Sequence, residues 1–278
     1  MQSKSLQELS ALIEDGLKKI IADGKFAEFL AFHSKFHKYS PMNSLLIFCA
    51  CRHATMVAGL KQWNKLGRRV KKGEKAIMIF APLIKKVIDI EVDCEAVSES
   101  KRQVQLLQGF RAVCVYDVSQ TEGKELPEEA DICHDFGGET ELLSKFISVF
   151  GYKYGVKHEP LEPDLGGFLT SDNTITLNAN KSEEQRLKTL IHEVAHGELN
   201  HFKEKSKSRA VKELEAEITS FIVSGHFGVD SSCYSFGYLA GWSDGDISEV
   251  KEALTVAYDM ANSIIAQLEA AMSLPKAS

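Results

Sequence analysis

Two histidines and a glutamate stand in the spacing H-E-x-x-H within the stretch TLIHEVAHGELNH, residues 189–201. On an α-helix, His192 and His196 lie about 40° apart around the axis, so both imidazoles face one side and can hold one cation. Glu193 lies about 100° from His192, within reach of a water molecule beside that cation. This spacing predicts metal-assisted hydrolysis, with Glu193 as the general base.

Two histidines leave a tetrahedral metal site incomplete, so a third ligand is required. The metzincin spacing H-E-x-x-H-x-x-G-x-x-H would need a glycine at 199 and a histidine at 202, where this chain has Leu199 and Phe202. His201 is also out of register, because a continued helix would turn it about 180° away from His192. We interpret His201 as a helix-terminal residue that packs or caps.

The next predicted helix, SRAVKELEAEITSFIVSG, offers the better third ligand. Glu213 and Glu217 are spaced i, i+4 on one stripe, where a nearby cation would relieve their mutual repulsion. Glu215 points to the opposite side. In gluzincins, one such glutamate binds the metal and an acid four residues later orients a histidine ligand. This pattern favours Glu213 as ligand and Glu217 as the orienting acid, although Glu217 as ligand stays open. The predicted cofactor is one Zn²⁺ per chain.

The metal motif needs a buried helix and a neighbouring strand to position it. Apolar residues at helical spacing predict that helix, and they are Leu187, Leu190, Ile191, Val194 and Ala195. The segment Thr174–Asn178 (TITLN) has the composition of a strand. We expect this strand to pair with an extended peptide substrate by β-augmentation.

A basic segment, KQWNKLGRRVKKGEK, lies far upstream at residues 61–75. It carries seven cations and one acid in a chain whose net charge is −6. Such a concentration of positive charge predicts contact with the phosphates of nucleic acid. The candidate phosphate-binding residues are Lys61, Lys65, Arg68, Arg69, Lys71, Lys72 and Lys75.

Three further residues are candidates for nucleic-acid contact. Trp63, inside the basic segment, could stack on a base, as aromatic residues do in single-strand binders. Ser40 and Asn43, at the start of a predicted helix, could donate to phosphate. The alternatives are a core position for Trp63 and helix capping for Ser40 and Asn43.

Hydrophobic periodicity changes along the chain from helix to strand and back to helix. It predicts the α+β class with two domains. Residues 1–120 form an N-terminal α+β domain, 121–139 a linker, and 140–278 a mostly helical domain with a small sheet. The sequence has no apolar run of about 18 residues and no signal-peptide pattern, so we expect no membrane partner. Six cysteines without C-x-x-C predict reduced, buried thiols and a cytoplasmic location.

The motifs together resemble two known domain types in a fixed order. The stretches TLIHEVAHGELNH, KELEAEITSFIVSGHFGVD and YSFGYLAGW resemble the zincin-like metallopeptidase domains of the ImmA/IrrE and SprT type. The stretches YSPMNSLLI, GLKQWNKLGRRVKKGEKAI and VYDVSQTEG resemble the single-stranded-DNA-binding domain of ArdC-type antirestriction proteins. The resemblance implies a bacterial protein of a mobile genetic element that protects incoming DNA. Its metal-site pattern falls on His192, Glu193, His196 and Glu213.

Three hypotheses about function follow. The first is a zinc metallopeptidase-like antirestriction protein that binds single-stranded DNA and acts on an unknown protein or peptide substrate. The second is a non-catalytic factor that coats single-stranded DNA and uses the metal for structure alone. The third is an ImmA-like regulatory protease that cleaves a specific repressor.

Overall fold

The computed structural model describes residues 5–36, 39–93, 98–126, 139–229, 236–241 and 246–273. Its contacts divide the chain into two units, and the predicted two-domain α+β class is confirmed. Unit 1 contains residues 1–16 and 45–125, and unit 2 contains residues 17–44 and 126–278. Helices α1 (Leu6–Ala22) and α3 (Pro41–Ala50) each contribute residues to both units. Each unit therefore combines two separate stretches of the sequence. The predicted division has one boundary near residue 120, and it does not include the assignment of residues 17–44 to unit 2.

Unit 1 is built around a long antiparallel hairpin. Its elements besides the parts of α1 and α3 are β1 (Val57–Ala58), α4 (Leu60–Lys65), β2 (Arg68–Val70), β3 (Ile77–Asp93), β4 (Ser98–Asp117) and β5 (Thr121–Gly123). Strands β1, β4 and β3 form one sheet in that order, and β2 pairs with β5. Strand β3 pairs with β4 along its whole length, with a register shift at Leu83/Ile84.

A buried aspartate at the end of β4 binds the backbone of two other segments of unit 1. Asp117 Oδ1 accepts hydrogen bonds from the backbone N–H groups of Thr55 (2.9 Å) and Met56 (3.2 Å), and its Oδ2 accepts one from Ser119 (2.8 Å). The chain then makes a 3₁₀ turn and enters β5, which pairs with β2. The first residues of the predicted linker 121–139 therefore belong to a sheet. Residues 127–138 of that linker lie outside the described residues.

Two thiols of unit 1 differ from the prediction that they are buried. Cys49 and Cys114 are exposed, and Cys51 is half-buried. Cys114 pairs with Met78 across the β3–β4 hairpin, with a separation of 3.3 Å between the two sulfur atoms. The apolar residues around Cys114 alternate along a strand, so neighbouring positions differ in exposure.

Unit 2 is mostly helical with one small sheet. Its elements besides the parts of α1 and α3 are α2 (Phe26–Lys35), α5 (Glu139–Phe150), β6 (Gly155–Glu159), β7 (Gly167–Leu169), β8 (Thr174–Asn178), α6 (Glu183–Glu198), α7 (Arg209–His226) and α8 (Ile247–Ser273). Helix α6 packs against α5, α7 and β7, and α7 packs against α2 and α8. The five apolar residues predicted for the inner face of α6 are fully buried. Among the described residues, we find no helix of the length and apolarity that a membrane crossing requires.

The small sheet has the order β6-β8-β7. Strand β8 (TITLN) is central, since it pairs in parallel with β6 and antiparallel with β7. The prediction that this strand binds an extended peptide is therefore wrong, because both of its hydrogen-bonding sides are occupied. Strand β7 lies at the edge of the sheet, next to α6.

Local capping fixes where the two metal-motif helices begin. Ser182 Oγ accepts a hydrogen bond from Gln185 N (3.2 Å), and Gln185 Oε1 accepts one from Ser182 N (3.2 Å), which is a capping box at the start of α6. Ser208 Oγ accepts a hydrogen bond from Val211 N (3.2 Å) at the start of α7. These caps set the register of both helices, and hence which side chains face each other.

Candidate metal centre and nucleic-acid surface

Three donor atoms from α6 and α7 converge at one point. His192 Nε2 lies 3.0 Å from His196 Nε2, and Glu213 Oε2 lies 3.5 Å from each of them. Tetrahedral ligands about 2.1 Å from a zinc ion are about 3.4 Å apart. The spacing of the three donors therefore fits one cation. Within the described ranges, these residues form the group of three possible metal ligands.

The electrostatics of this cluster favour a positive charge at its centre. Hydrogen bonds from His192 and His196 hold the pKa of Glu213 well below its usual range. Burial disfavours the charged form of His192, but the hydrogen bond and charge of Glu213, with the charges of Glu193 and Glu217, outweigh burial and raise the pKa of His192. The carboxylates therefore attract a proton or a metal cation to the same position.

The candidate general base is held by the edge strand. Glu193 Oε2 accepts a 2.9 Å hydrogen bond from the backbone N–H of Leu169 in β7. Hydrogen bonds from Asn178 N to Gly166 O (2.8 Å) and from Thr170 N to Thr174 O (2.9 Å) flank β7. Because the hydrogen-bonded residues of an antiparallel pair alternate, Gly166, Phe168 and Thr170 are the positions that face β8. The intervening residue Leu169 therefore directs its N–H to the outer edge, where Glu193 lies.

Glu193 and the three donors line one cleft of about 540 Å³. The edge strand β7 forms one wall of this cleft, and Leu169 is one of its lining residues. Two exposed aromatic residues, Phe168 and Phe202, also line the cleft, together with the cation Arg209. The arrangement gives an open, partly apolar groove with the cluster of donors inside it.

His201 lies buried just after the end of α6, as expected of a helix-terminal packing residue, but it also makes a contact that the sequence did not predict. Helix α6 ends at Glu198, and Asn200 takes a left-handed conformation with φ of 56°. This turn reverses the chain and places His201 Nδ1 2.7 Å from His196 Nδ1. The interpretation of His201 as a packing residue missed this contact, because it continued the helix through residue 201. An asparagine directly after the last helical turn is the sequence signal of such a reversal.

The acid that contacts His201, on the side of this ring away from His196, is Glu215. This residue is fully buried, and its Oε2 lies 3.0 Å from His201 Nε2. Glu217, the predicted orienting acid, is half-buried and acts on His192 through its charge. The i, i+4 pattern alone did not indicate Glu215, which is two residues from Glu213 and on another face of α7.

The seven cations of the basic segment have two kinds of surroundings. Arg68 donates hydrogen bonds to Thr121 Oγ1 (2.8 Å), Thr121 O (3.0 Å) and Lys124 O (2.7 Å), and Lys71 Nζ donates to Ser119 O (2.8 Å). Arg68 in β2 and Lys71 just after this strand therefore hydrogen-bond to the chain that follows β4. Lys71 is itself exposed, as are Lys61, Lys65, Arg69, Lys72 and Lys75 of the same segment.

Trp63 is a core residue of unit 1. Its side chain has no exposed surface, and its Nε1–H donates to Tyr116 O at 2.9 Å. The expectation that Trp63 stacks on a base is wrong for this fold, because stacking requires an exposed ring face.

Ser40 and Asn43 lie at the start of α3, and the backbone N–H of Asn43 donates to Ser40 Oγ at 3.4 Å. Ser40 therefore caps the start of α3, which is the alternative to phosphate contact that the sequence left open. Both residues belong to unit 2, whereas the basic segment belongs to unit 1.

An aromatic pair that the sequence did not single out lies on the β3–β4 hairpin. Phe80 and Phe110 pack edge to face, with ring centroids 6.4 Å apart and planes at 84°. Phe110 is 50% exposed. The alternating residues Met78, Phe80 and Pro82 share a strand face, and Pro82 pairs with Phe110. This face of the hairpin therefore presents an aromatic ring to solvent.

Two parts of the chain match the models of known domain families. Residues 3–116 match the model of the N-terminal domain of the anti-restriction factor ArdC. Residues 153–231 match the IrrE N-terminal-like domain of the M78 peptidase family. The chain thus carries an ArdC-type N-terminal domain followed by an IrrE-like domain. The resemblance seen in the sequence is confirmed, with the basic segment in the first match and the metal motif in the second.

Solved structures of an ArdC protein have the same fold. The metal-free structure of antirestriction ArdC from plasmid R388 covers 86% of this chain and 87% of its own, with 19% identity and a TM-score of 0.52. Its Mn(II)-bound structure covers 94% of this chain and 97% of its own, with 18% identity and a TM-score of 0.60. An uncharacterized protein of Bacillus anthracis is 28% identical over 88% of this chain and 48% of the relative. The chain thus spans about half the length of the curated relative it matches.

Proposed function

We propose that this ArdC-type chain is a metal-dependent peptidase that acts in antirestriction and binds single-stranded DNA. The observation that carries the peptidase proposal is the convergence of His192, His196 and Glu213 in one cleft with Glu193. Antirestriction appears in the name of the matched domain and of the similar ArdC structures, and we extend it to this chain. The proposed location is the cytoplasm, where incoming DNA meets restriction enzymes.

The proposed cofactor is one divalent cation, and zinc is the specific proposal. Two imidazole nitrogens and one carboxylate oxygen suit zinc, as in catalytic sites with two histidines and a glutamate. Manganese is the alternative, because a similar ArdC structure contains Mn(II) and a carboxylate oxygen suits that ion. When bound, the cation would act as a Lewis acid toward a carbonyl and make a nearby water molecule more acidic.

Residues of the chain itself supply the proton transfer and the alignment of the substrate. Glu193 would take the proton of the attacking water and pass it to the leaving amine. The hydrogen bond from Leu169 N holds one oxygen of this carboxylate in position. The outer edge of β7 lies in the wall of the cleft, so an extended peptide can add to it through outward backbone groups other than the N–H of Leu169, which Glu193 occupies.

Unit 1 is the proposed single-strand-binding part. The exposed cations of the basic segment would neutralise phosphates, and Phe110 with Phe80 would provide the stacking surface. We propose phosphate contacts for Lys61, Lys65, Arg69, Lys72 and Lys75. We do not extend that proposal to Arg68 and Lys71, whose charged groups hydrogen-bond within unit 1.

Metal analysis with four alanine variants tests the ligand set. Wild-type protein should hold one zinc per chain after dialysis, and the variants His192→Ala, His196→Ala and Glu213→Ala should lose it. Glu217→Ala should keep it, because Glu217 is not among the converging donors. Retention of metal by Glu213→Ala together with loss by Glu217→Ala would reverse the assignment of the third ligand.

The variant Glu193→Gln separates catalysis from metal binding. It should retain the metal and lose protection of incoming DNA in cells, because the amide cannot act as a base. Full protection by this variant would contradict the peptidase proposal. That result would favour the second candidate, a coat for single-stranded DNA with a structural metal.

One observation favours this second candidate. The donors come from α6 and α7, so a cation would also join these two helices and stabilise unit 2. The third hypothesis, cleavage of a specific repressor, predicts little need for the basic segment. Full activity after charge reversal at Arg69, Lys72 and Lys75 would favour it.

A further inference from the structure

A chain of polar contacts runs from the candidate metal centre into the core of unit 2. His196 Nδ1 lies 2.7 Å from His201 Nδ1, and His201 Nε2 lies 3.0 Å from Glu215 Oε2. Glu215 Oε1 accepts a 2.5 Å hydrogen bond from Lys207 Nζ. His201 is 6% exposed and Glu215 is 0% exposed. Such groups are costly to bury unless each has a partner, and here each has one.

The helix end builds the first contact of this chain. Asn200 N donates to Gly197 O (3.1 Å), and His201 N donates to His196 O (3.0 Å). With the left-handed Asn200, these bonds form a Schellman motif. In this motif the residue after the left-handed position returns to the residue five places earlier. His201 is thereby fixed beside His196 by backbone geometry.

The hydrogen positions along the chain have one consistent assignment when His196 Nε2 binds a cation. His196 then carries its hydrogen on Nδ1 and donates it to His201 Nδ1. His201 must carry its own hydrogen on Nε2, from which it donates to the carboxylate of Glu215. Lys207 balances the negative charge of that carboxylate, which its burial requires. The chain of contacts thus selects the tautomer in which His196 Nε2 has a free electron pair.

We propose that His201 and Glu215 are positioning residues, which hold the ring of His196 and its tautomer ready for the metal. The inference rests on the proposed function, because it concerns the same metal site. A carboxylate usually makes this contact to a metal-binding histidine directly. Here His201 lies between the metal-binding histidine and the carboxylate, and it hydrogen-bonds to both His196 and the buried Glu215.

The test compares His201→Phe and His201→Asn with wild type. Zinc affinity is measured by competition with a chelator, and the ligand geometry by the visible absorption of the cobalt(II) form. His201→Phe keeps a ring but removes both hydrogen bonds, so we expect a loss of about 10- to 100-fold in zinc affinity and an altered cobalt spectrum. His201→Asn keeps an acceptor for His196 Nδ1–H and should recover part of the affinity.

A matched control is available on α7 of the same unit. His226 Nε2 lies 3.0 Å from Glu269 Oε1, so His226→Phe also breaks a histidine–glutamate pair, but one outside the donor cluster. This control should retain wild-type zinc affinity and cobalt spectrum. Circular dichroism of each metal-free variant shows whether it folds. If His201→Phe does not fold, Glu215→Gln provides the same test with the shape of the side chain preserved, and we expect weaker zinc binding.

Three results would overturn the inference, and they differ in what else they contradict. Wild-type zinc affinity and an unchanged cobalt spectrum in folded His201→Phe and Glu215→Gln would contradict the positioning role alone. Failure of the wild-type chain to bind zinc or cobalt would contradict the proposed metal centre as well. A similar loss of affinity in His226→Phe would show that the effect is general destabilisation.

Discussion

The backbone N–H of Leu169 donates a 2.9 Å hydrogen bond to the carboxylate of Glu193. This contact joins the edge strand β7 to the candidate general base on α6. A peptide that adds to the edge of β7 would therefore lie beside the carboxylate that takes the proton. The edge strand thus holds the candidate base, and under the proposed function it would also align the substrate.

Removal of this hydrogen bond should reduce turnover without loss of the metal. Leu169→Pro deletes the donor, and proline is tolerated where an edge-strand N–H points away from the sheet. A hydrogen bond to a charged group contributes about 1.5–3 kcal/mol, so we expect a decrease of about 10- to 100-fold in peptidase kcat/KM. Leu169→Val keeps the N–H and is the matched control. Equal activity in the proline variant and the control would show that the contact does not position Glu193.

Substitution of Gly197 should destabilise unit 2. A Cβ at this position would overlap the hydroxyl and ring of Tyr154, a side chain that is 1% exposed and hydrogen-bonded to Glu198 at 3.0 Å. Overpacking of this kind costs about 1–3 kcal/mol, more than the gain of up to about 1 kcal/mol from alanine in a helix. Urea denaturation should therefore give a lower free energy of unfolding for Gly197→Ala. Gly241→Ala, where a Cβ meets open space, should leave it unchanged; an equal or higher stability of Gly197→Ala would contradict the packing argument.

Metal affinity should fall as the pH is lowered, beginning above the ordinary histidine range. Burial works against the charge on His192, but the neighbouring carboxylates raise its pKa above 6.5. Since the metal binds the neutral ring, the proton competes with it up to a higher pH than in an ordinary site. Zinc titrations between pH 5 and pH 8, a range of about 3 units around the usual pKa, measure this competition. Glu217→Gln removes one of the charges that raise this pKa and should shift the curve to lower pH; no shift would contradict this account.

Binding of single-stranded DNA should depend on the exposed cations and on the hairpin aromatic residue. Charge reversal to glutamate at Arg69, Lys72 and Lys75 should weaken binding by at least about 10-fold at low salt and flatten its salt dependence. Reversal of three exposed lysines of unit 2, Lys157, Lys203 and Lys205, changes the net charge equally and is the control.

The aromatic contribution is measured in the same fluorescence titration. Phe110→Ala should cost about 1–3 kcal/mol of binding free energy if a base stacks on this ring. Trp63→Phe should have little direct effect on DNA contact, since that side chain is buried. Equal binding by Phe110→Ala and wild type would remove the hairpin from the proposed surface.

The sequence by itself determined the features that depend on local spacing. The H-E-x-x-H period placed His192 and His196 on one side of a helix, and the apolar period around it predicted the buried face of α6. The composition of residues 61–75 predicted a basic surface segment. Most of its charged side chains are exposed, because a charged group is more stable in water than in the protein interior. These features follow from helix geometry and from the cost of burying charge, which act within a few residues.

Only the tertiary structure decided the contacts between distant residues. It brought Glu213 to the two histidines, paired Leu169 with Glu193, and buried Trp63 against β4. It also placed TITLN at the centre of its sheet, because strand order depends on how separate segments pack and not on the composition of any one strand. His201 shows the limit most clearly: one left-handed residue, Asn200, ended the helix and turned an apparently misplaced histidine toward His196. The local period could not predict this contact, since it holds only while the helix continues.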